Sequence, residues 1–177
     1  MQYKIIILIL LFYFLALFQN SFFVHLNIYG VAPDLVFILV CLVSFFFSQG
    51  NVKSHKKDHN RHTGLILTIF AGFLADIFSP SFFGISIVSF LAVYFFIKKS
   101  VDLLIDISGG YQVVYFLPIF IVSLVLYNFL AEVLLYFSGY VNFYFFSNGY
   151  FLLINLAYNL VFAIIGFYIF KVAKDGL

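Results

Sequence analysis

Long apolar stretches, separated by short polar segments, follow one another along the whole chain. Six can be marked, at residues 4–24, 31–48, 64–78, 82–97, 111–137 and 148–170. Their apolar runs are continuous and lack the alternation that marks the strands of a membrane β-barrel. Crossing the roughly 30 Å hydrocarbon core of a bilayer takes about 20 helical residues. The first, fifth and sixth stretches reach that length and the second is close. The pattern therefore predicts an all-α bundle of about six transmembrane helices.

The third and fourth stretches are shorter and predict a tight helical hairpin at 64–97. One continuous helix over these residues would be about 50 Å long at about 1.5 Å per residue, which is too long for a single crossing. Between the two stretches, Ser79 can cap a new helix that has Pro80 at its first position. The hairpin either crosses the bilayer fully or enters and leaves on one side, and the sequence leaves both alternatives open.

The amino-acid composition indicates a chain that is embedded in a lipid bilayer. Hydrophobic residues make up 65% of it and charged residues only 9%, whereas a soluble domain usually carries about 25% charged residues. In lipid every backbone polar group must be satisfied within the protein, which a helix achieves by itself. The single cysteine, Cys41, excludes an internal disulfide. We expect one polytopic membrane domain over residues 1–177, with an uncleaved first span.

The basic residues predict which side of the membrane each loop faces. With six spans, all Lys and Arg residues fall at the N-terminus, in the second and fourth loops, or at the C-terminus, at positions 4, 53, 56, 57, 61, 98, 99, 171 and 174. The loops around 25–30, 79–81 and 138–147 contain none. Because cytoplasmic loops carry the excess of Lys and Arg, we expect both termini in the cytoplasm. The small net charge of +2 gives no indication of nucleic-acid binding.

Polar residues within the predicted spans are the candidate functional residues. The direction of each helix places Asp34, Asp76 and Glu132 in the outer part of the bilayer. Asn128 lies one turn from Glu132 on the same helix face, and Asn155 is predicted near the same level. A charged side chain within a span is costly, and a polar cluster facing the bundle interior would offset that cost.

Each acidic residue has a structural and a functional interpretation. Asp34 follows Pro33 in a first helical turn, where the helix dipole stabilises a carboxylate. Asp76 lies next to the hairpin bend and either accepts hydrogen bonds from backbone N–H groups or serves a partner or a mechanism. Glu132 has no basic residue on its side of the membrane to pair with, so proton transfer or substrate binding stays open for it.

Metal binding and catalysis find little support in the sequence. The three histidines of the basic loop, at positions 55, 59 and 62, are surrounded by Lys and Arg residues that repel a cation. A solvated loop near anionic lipid headgroups explains them better. We find no nucleophile–histidine–acid set and no glycine loop for a phosphate group. We therefore expect neither an enzyme nor a bound cofactor or metal.

Motifs in the first hundred residues resemble the rod shape-determining protein MreD family. The first span ends in Gln19-Asn20-Ser21 and the second opens with Pro33-Asp34-Leu35. A basic loop follows, and then a glycine-containing hairpin, GFLADIFSPSFFG, which runs from Gly72 to Gly84 and contains Asp76, Ser79 and Pro80. Spans five and six are similar to the family only in hydropathy and length.

The resemblance implies a non-enzymatic inner-membrane subunit of the bacterial cell elongation complex. It further implies an MreC-like binding partner, an assembly with MreB, RodA and a transpeptidase, and a role in rod shape and lateral peptidoglycan synthesis. Asp34 and Asp76 match positions of the family. The alternative is a substrate-binding membrane subunit of a vitamin or metal transporter, in which Asp76, Glu132 and Asn155 would converge on a ligand. Span one has almost no small residues beyond Ala16 for docking a coupling subunit, which weighs against that alternative.

Overall fold

The computed structural model describes residues 2–23, 25, 27, 30–48, 57–79, 82–104, 112–139 and 149–175. Within these ranges the chain forms six α-helices, and a π-helical turn at Gln19–Phe23 continues the first of them. The helices are α1 (Gln2–Phe18), α2 (Leu35–Ser48), α3 (Lys57–Phe78), α4 (Ile85–Leu104), α5 (Gln112–Phe137) and α6 (Gly149–Asp175). The predicted all-α class is confirmed for the described part of the chain.

Two helices begin at places that the apolar pattern did not predict. α3 begins at Lys57, so the end of the predicted basic loop is helical, while 53–56 lie outside the described residues. The predicted helix start at Ser79 is wrong: Ser79 forms a bend after α3, and α4 begins at Ile85. Pro80 lies outside the described residues. Gly84 takes the capping position instead, since its carbonyl accepts the first helical hydrogen bond, from Val88 N, at 3.0 Å.

α2 occupies the centre of the bundle. It packs against α1, α3, α4, α5 and α6, and almost all of its side chains are buried, with Phe37, Val40 and Val43 fully enclosed. An apolar helix without a polar face is stable only where other apolar groups surround it. At 14 residues, α2 is about 21 Å long. The sequence therefore places its most uniformly apolar short helix in the core.

α3 and α4 form the predicted hairpin and approach each other closely. A Cβ atom on Gly72 would lie 2.6 Å from the Ile87 Cα atom, and one on Gly64 would lie 3.3 Å from the Tyr94 ring. The two contacts run in opposite directions along the two helices, so the helices are antiparallel. Glycine at position 72 is required because the backbone of α4 occupies the space that any side chain would need.

The helices alternate in direction, which gives the bundle two chemically different ends. α1, α3 and α5 finish where α2, α4 and α6 begin, and we call this the capped end because side chains there bind helix N-termini. The described basic residues lie towards the other end, which we call the basic end: 4, 57, 61, 98, 99, 171 and 174. Asp34, Asp76 and Glu132 all lie towards the capped end. The described basic residues thus lie towards one end, whereas acidic residues occur at both ends, with Asp58, Asp102 and Asp175 at the basic end.

The outer surface of the bundle is largely apolar. Three segments are long and apolar enough to cross a membrane by length and composition, namely Ile5–Phe23, Val113–Phe137 and Gly149–Val172. Leu35–Ser48 and His62–Phe78 are shorter apolar helices. Large apolar side chains point outwards from every helix except the central α2, for example Ile7 on α1, Phe95 on α4 and Leu153 on α6. A surface of this kind matches a lipid environment better than water.

Candidate functional site

Three side chains at the capped end bind the N-terminus of α2. The Asp34 carboxylate accepts a hydrogen bond from Phe37 N at 2.9 Å, so Asp34 is the N-cap of its own helix. Val36 N donates to Gln19 Oε1 at 3.2 Å, and Asp34 N donates to Asn159 Oδ1 at 2.7 Å. The first N–H groups of a helix have no partner within it. In the centre of a bundle, where water is scarce, side chains from α6 and the π-helical turn supply the acceptors.

The π-helical turn brings Gln19 to this position. π-helical turns are rare and often occur at functional places in a helix. Phe23, at the end of the turn, is buried and packs edge-on against Phe162 of α6, with ring centroids 5.3 Å apart. Asn20 is exposed and bonds back to the Ala16 carbonyl at 2.8 Å. The turn is therefore held against α6 by apolar contact while Gln19 reaches α2.

Three asparagines connect α2, α6 and α5 through a continuous chain of hydrogen bonds. Asn159, which is fully buried, accepts from the α2 backbone and donates through Nδ2 to the side-chain and backbone oxygens of Asn155. Asn155 Nδ2 donates to Asn128 Oδ1 at 3.3 Å, and Asn128 Nδ2 donates to the Leu124 carbonyl at 2.9 Å. Each amide thus accepts on one side and donates on the other. Such a chain is cooperative, because each bond polarises the next.

Tyr127 joins this cluster from α5. Its side chain hydrogen-bonds the Asp34 carboxylate. Its ring stacks on Phe37 of α2, with centroids 4.8 Å apart, and lies 5.3 Å from the Phe90 ring of α4. One residue therefore gives both an apolar contact between three helices and a polar contact to the α2 cap. We call Gln19, Asp34, Tyr127, Asn128, Asn155 and Asn159 the α2 cap cluster.

Asp76 forms a second cap, at the N-terminus of α4. Its two carboxylate oxygens accept hydrogen bonds from Gly84 N and Ser86 N, both at 2.8 Å, and the Ile87 N–H lies 3.4 Å away. The side chain is only 4% exposed. Gly84 has a φ of +104°, a conformation that side-chain-bearing residues rarely adopt. The last turn of α3 thus carries the anion that satisfies the first turn of α4.

The structure brings together some of the predicted site residues and separates others. Asp34, Asn128 and Asn155 lie in the α2 cap cluster, whereas the described hydrogen bonds of Asp76 all go to α4. Glu132 is half-buried on α5, one turn beyond Asn128. Ser79 lies in the bend after α3, six residues before α4 begins at Ile85. Asp34 and Asp76 each accept hydrogen bonds from backbone N–H groups at the N-terminus of a helix.

Sequence reasoning missed the part played by Tyr127 and by Asn159 as a direct ligand of the α2 backbone. The spacing of Asn155 and Asn159, one turn apart on α6, was the available signal that both face the same neighbour. Tyr127 carries no comparable signal, because it is one of many aromatic residues in an apolar span.

The chemistry of the site is that of a helix-connecting network. Its groups are neutral amides, a phenol and carboxylates that accept backbone N–H bonds. In the described ranges, no three His, Cys, Asp or Glu residues lie close enough to hold a metal ion. Comparison with known proteins gives no further assignment, because no family model, no curated protein and no solved structure matches this chain.

Proposed function

We propose that the chain is an integral membrane protein that crosses a bacterial inner membrane six times, with both termini in the cytoplasm. The support is the one-sided placement of the described basic residues, which all lie towards the basic end, while Asp34, Asp76 and Glu132 lie towards the capped end. The positive-inside rule assigns the basic end to the cytoplasm. The outward-facing apolar side chains of α1, α5 and α6 would then contact lipid.

The lengths of the hairpin helices support full crossing over a re-entrant loop. α3 has 22 residues and α4 has 20, so each rises about 30 Å or more. These lengths include charged ends, and the apolar part of α3, His62–Phe78, is at the lower limit of about 17 residues for a crossing. α2 is shorter, but its neighbours enclose it, so it does not have to match the thickness of the bilayer. Its N-terminus would lie below the outer membrane surface, which explains why side chains rather than water cap it.

We further propose that the protein acts as a non-enzymatic scaffold of the cell elongation complex, as its resemblance to the MreD family implies. One structural observation carries this proposal: the intramembrane carboxylates Asp34 and Asp76 accept hydrogen bonds from backbone N–H groups of helix N-termini. An enzyme or a transporter subunit needs polar groups that converge on a ligand. Here the polar groups fix the relative positions of helices, as a rigid docking platform requires. The proposed partner is an MreC-like protein, within an assembly that includes MreB, RodA and a transpeptidase.

Depletion of the protein in its own cells tests this function. We expect rod-shaped cells to round up, lateral peptidoglycan incorporation to fall, and an MreC-like protein to be lost from the purified complex. Re-expression of the wild-type chain is the control and should restore all three. Cells that stay rod-shaped while uptake of a vitamin or a metal ion collapses would replace the scaffold with the transporter alternative.

A further inference from the structure

The basic end of the α3–α4 hairpin brings basic positions of two helices onto facing sides. A Cβ atom on Gly64 would lie 3.3 Å from the Tyr94 ring, so these two residues mark the contact between the helices. Lys57 and Arg61 precede Gly64 by seven and three residues, and this spacing places all three on one face of α3. Lys98 lies one turn after Tyr94 on the facing side of α4. We call Lys57, Arg61 and Lys98 the basic seam.

Antiparallel packing gives the positions of the seam similar depths. From the contact between Gly64 and Tyr94, Arg61 is three residues back along α3 and Lys98 is four residues further along α4. At about 1.5 Å per residue, the two Cα atoms differ in depth by less than about 2 Å. Lys57 lies one turn beyond Arg61 towards the basic end. The basic seam is therefore one group at the end of the hairpin, to which both helices contribute.

Carboxylates at this end offset only part of the positive charge. Segments 57–61 and 98–102 contain four basic and two acidic residues, which leaves a surplus of two positive charges with histidine counted as neutral. The acidic residues are Asp58 and the half-buried Asp102, one turn beyond Lys98. The two basic positions of α3 are four residues apart, and like charges at that spacing repel each other. An anion at the seam would therefore stabilise this end of the hairpin.

The outward faces of both helices next to the seam are apolar. Ile66 and Ile69 on α3 and Phe95 on α4 are exposed. A free inorganic anion would contact only the cations, whereas a phospholipid places its phosphate group directly beside its acyl chains. Basic sites between membrane helices on the cytoplasmic side are typical places for anionic lipid headgroups. The arrangement of charged and apolar positions therefore fits a phospholipid.

We propose that the basic seam binds the phosphate group of an anionic phospholipid, whose acyl chains lie against the outward faces of α3 and α4. The bound headgroup connects the two helices at the basic end, as the Asp76 carboxylate connects them at the capped end. The inference rests on the proposed membrane location of the protein and is independent of the proposed scaffold role.

Lipid binding to the purified full-length protein in neutral detergent tests the site. Native mass spectrometry measures the dissociation constants of dioleoyl phosphatidylglycerol and dioleoyl phosphatidylcholine, which have the same acyl chains and differ in headgroup charge. The anionic lipid should bind about tenfold more tightly, a difference of about 1.4 kcal/mol. Inorganic pyrophosphate, added at the concentration of the lipid, should leave the bound phosphatidylglycerol in place, because it makes no apolar contact.

Double variants identify the seam as the source of this preference. Arg61→Gln with Lys98→Gln should reduce the tenfold preference to less than about twofold. Lys171→Gln with Lys174→Gln is the matched control, because it removes two cations from the basic end of α6. That helix packs against α2 and α5, which contain no Lys or Arg, so the control should keep the preference. Arg61→Lys with Lys98→Arg retains both charges and should keep it too. Circular dichroism checks the helical content of each variant.

Equal binding of the two lipids by the wild-type protein would overturn the site and leave an acidic segment of a partner protein as the counterpart of these cations. An equal loss of preference in the seam variant and the α6 control would also overturn it, because net charge alone would then explain the binding. Displacement of the lipid by pyrophosphate would overturn the assignment to a phospholipid. None of these results bears on the depletion experiment: if depleted cells round up while the lipids bind equally, the scaffold function stands without this lipid site.

Discussion

Replacement of Asp76 by alanine should destabilise the protein more than any other single loss of a polar contact described above. The substitution removes the acceptor of two short hydrogen bonds, from Gly84 N and Ser86 N. Gly84 caps α4 and Ser86 lies in its first turn, so neither N–H group has an acceptor within that helix. At about 1–3 kcal/mol for each poorly accessible N–H group left without an acceptor, the free energy of unfolding should fall by about 2–6 kcal/mol.

Equilibrium unfolding of the full-length protein in mixed detergent micelles measures this change. Asp76→Asn keeps one acceptor oxygen and should lose about 1–3 kcal/mol. Asp102→Ala, on the same helix pair but half-buried near the basic end, should lose no more than about 1 kcal/mol, the range of an exposed ionic contact. Equal losses for Asp76→Ala and Asp102→Ala would refute the assignment of Asp76 as the cap of α4.

Two further substitutions test the helix contacts. Asn159→Leu leaves Asp34 N without its acceptor and should lower the free energy of unfolding by about 1–3 kcal/mol. Its control, Asn20→Ala at an exposed residue, should change the free energy of unfolding by less than about 0.5 kcal/mol. Similar losses for both variants would contradict the role of Asn159 in capping α2. Gly72→Ala places a Cβ atom 2.6 Å from a backbone atom of α4 and should cost about 1–3 kcal/mol. Gly149→Ala, with open space around it, is its control, and an equal cost in both would contradict the close approach.

The helices, and contacts between residues that are close in the sequence, could be predicted, and the structure agrees with those predictions. Long apolar runs predict helices because the helix is the form in which an apolar segment satisfies its own backbone. The place of Asp34 at the start of α2 followed from its neighbour Pro33, and its bond to Phe37 N spans only three residues. A contact between residues only a few positions apart can be inferred from the local sequence alone.

The connections between helices could not be predicted from the same pattern. Asn159 and Asp34 are 125 positions apart, and hydropathy contains no information on which helices become neighbours.

The predicted start of α4 was wrong for a related reason. Ser79 and Pro80 look like a local helix start, but the acceptor that satisfies α4 is Asp76, which reaches across the bend to Gly84. A tertiary contact thus determines the helix boundary in place of the local capping signal.

The proposed scaffold role and the proposed outer position of the caps both depend on the membrane topology, which accessibility labelling measures directly. In a Cys41→Ser background, single cysteines replace Asn142, in the predicted outer loop, and Lys57, at the start of α3. An impermeant thiol reagent should label position 142 in intact cells and position 57 only after permeabilisation. Labelling of position 57 from outside, with position 142 protected until permeabilisation, would contradict the proposed orientation.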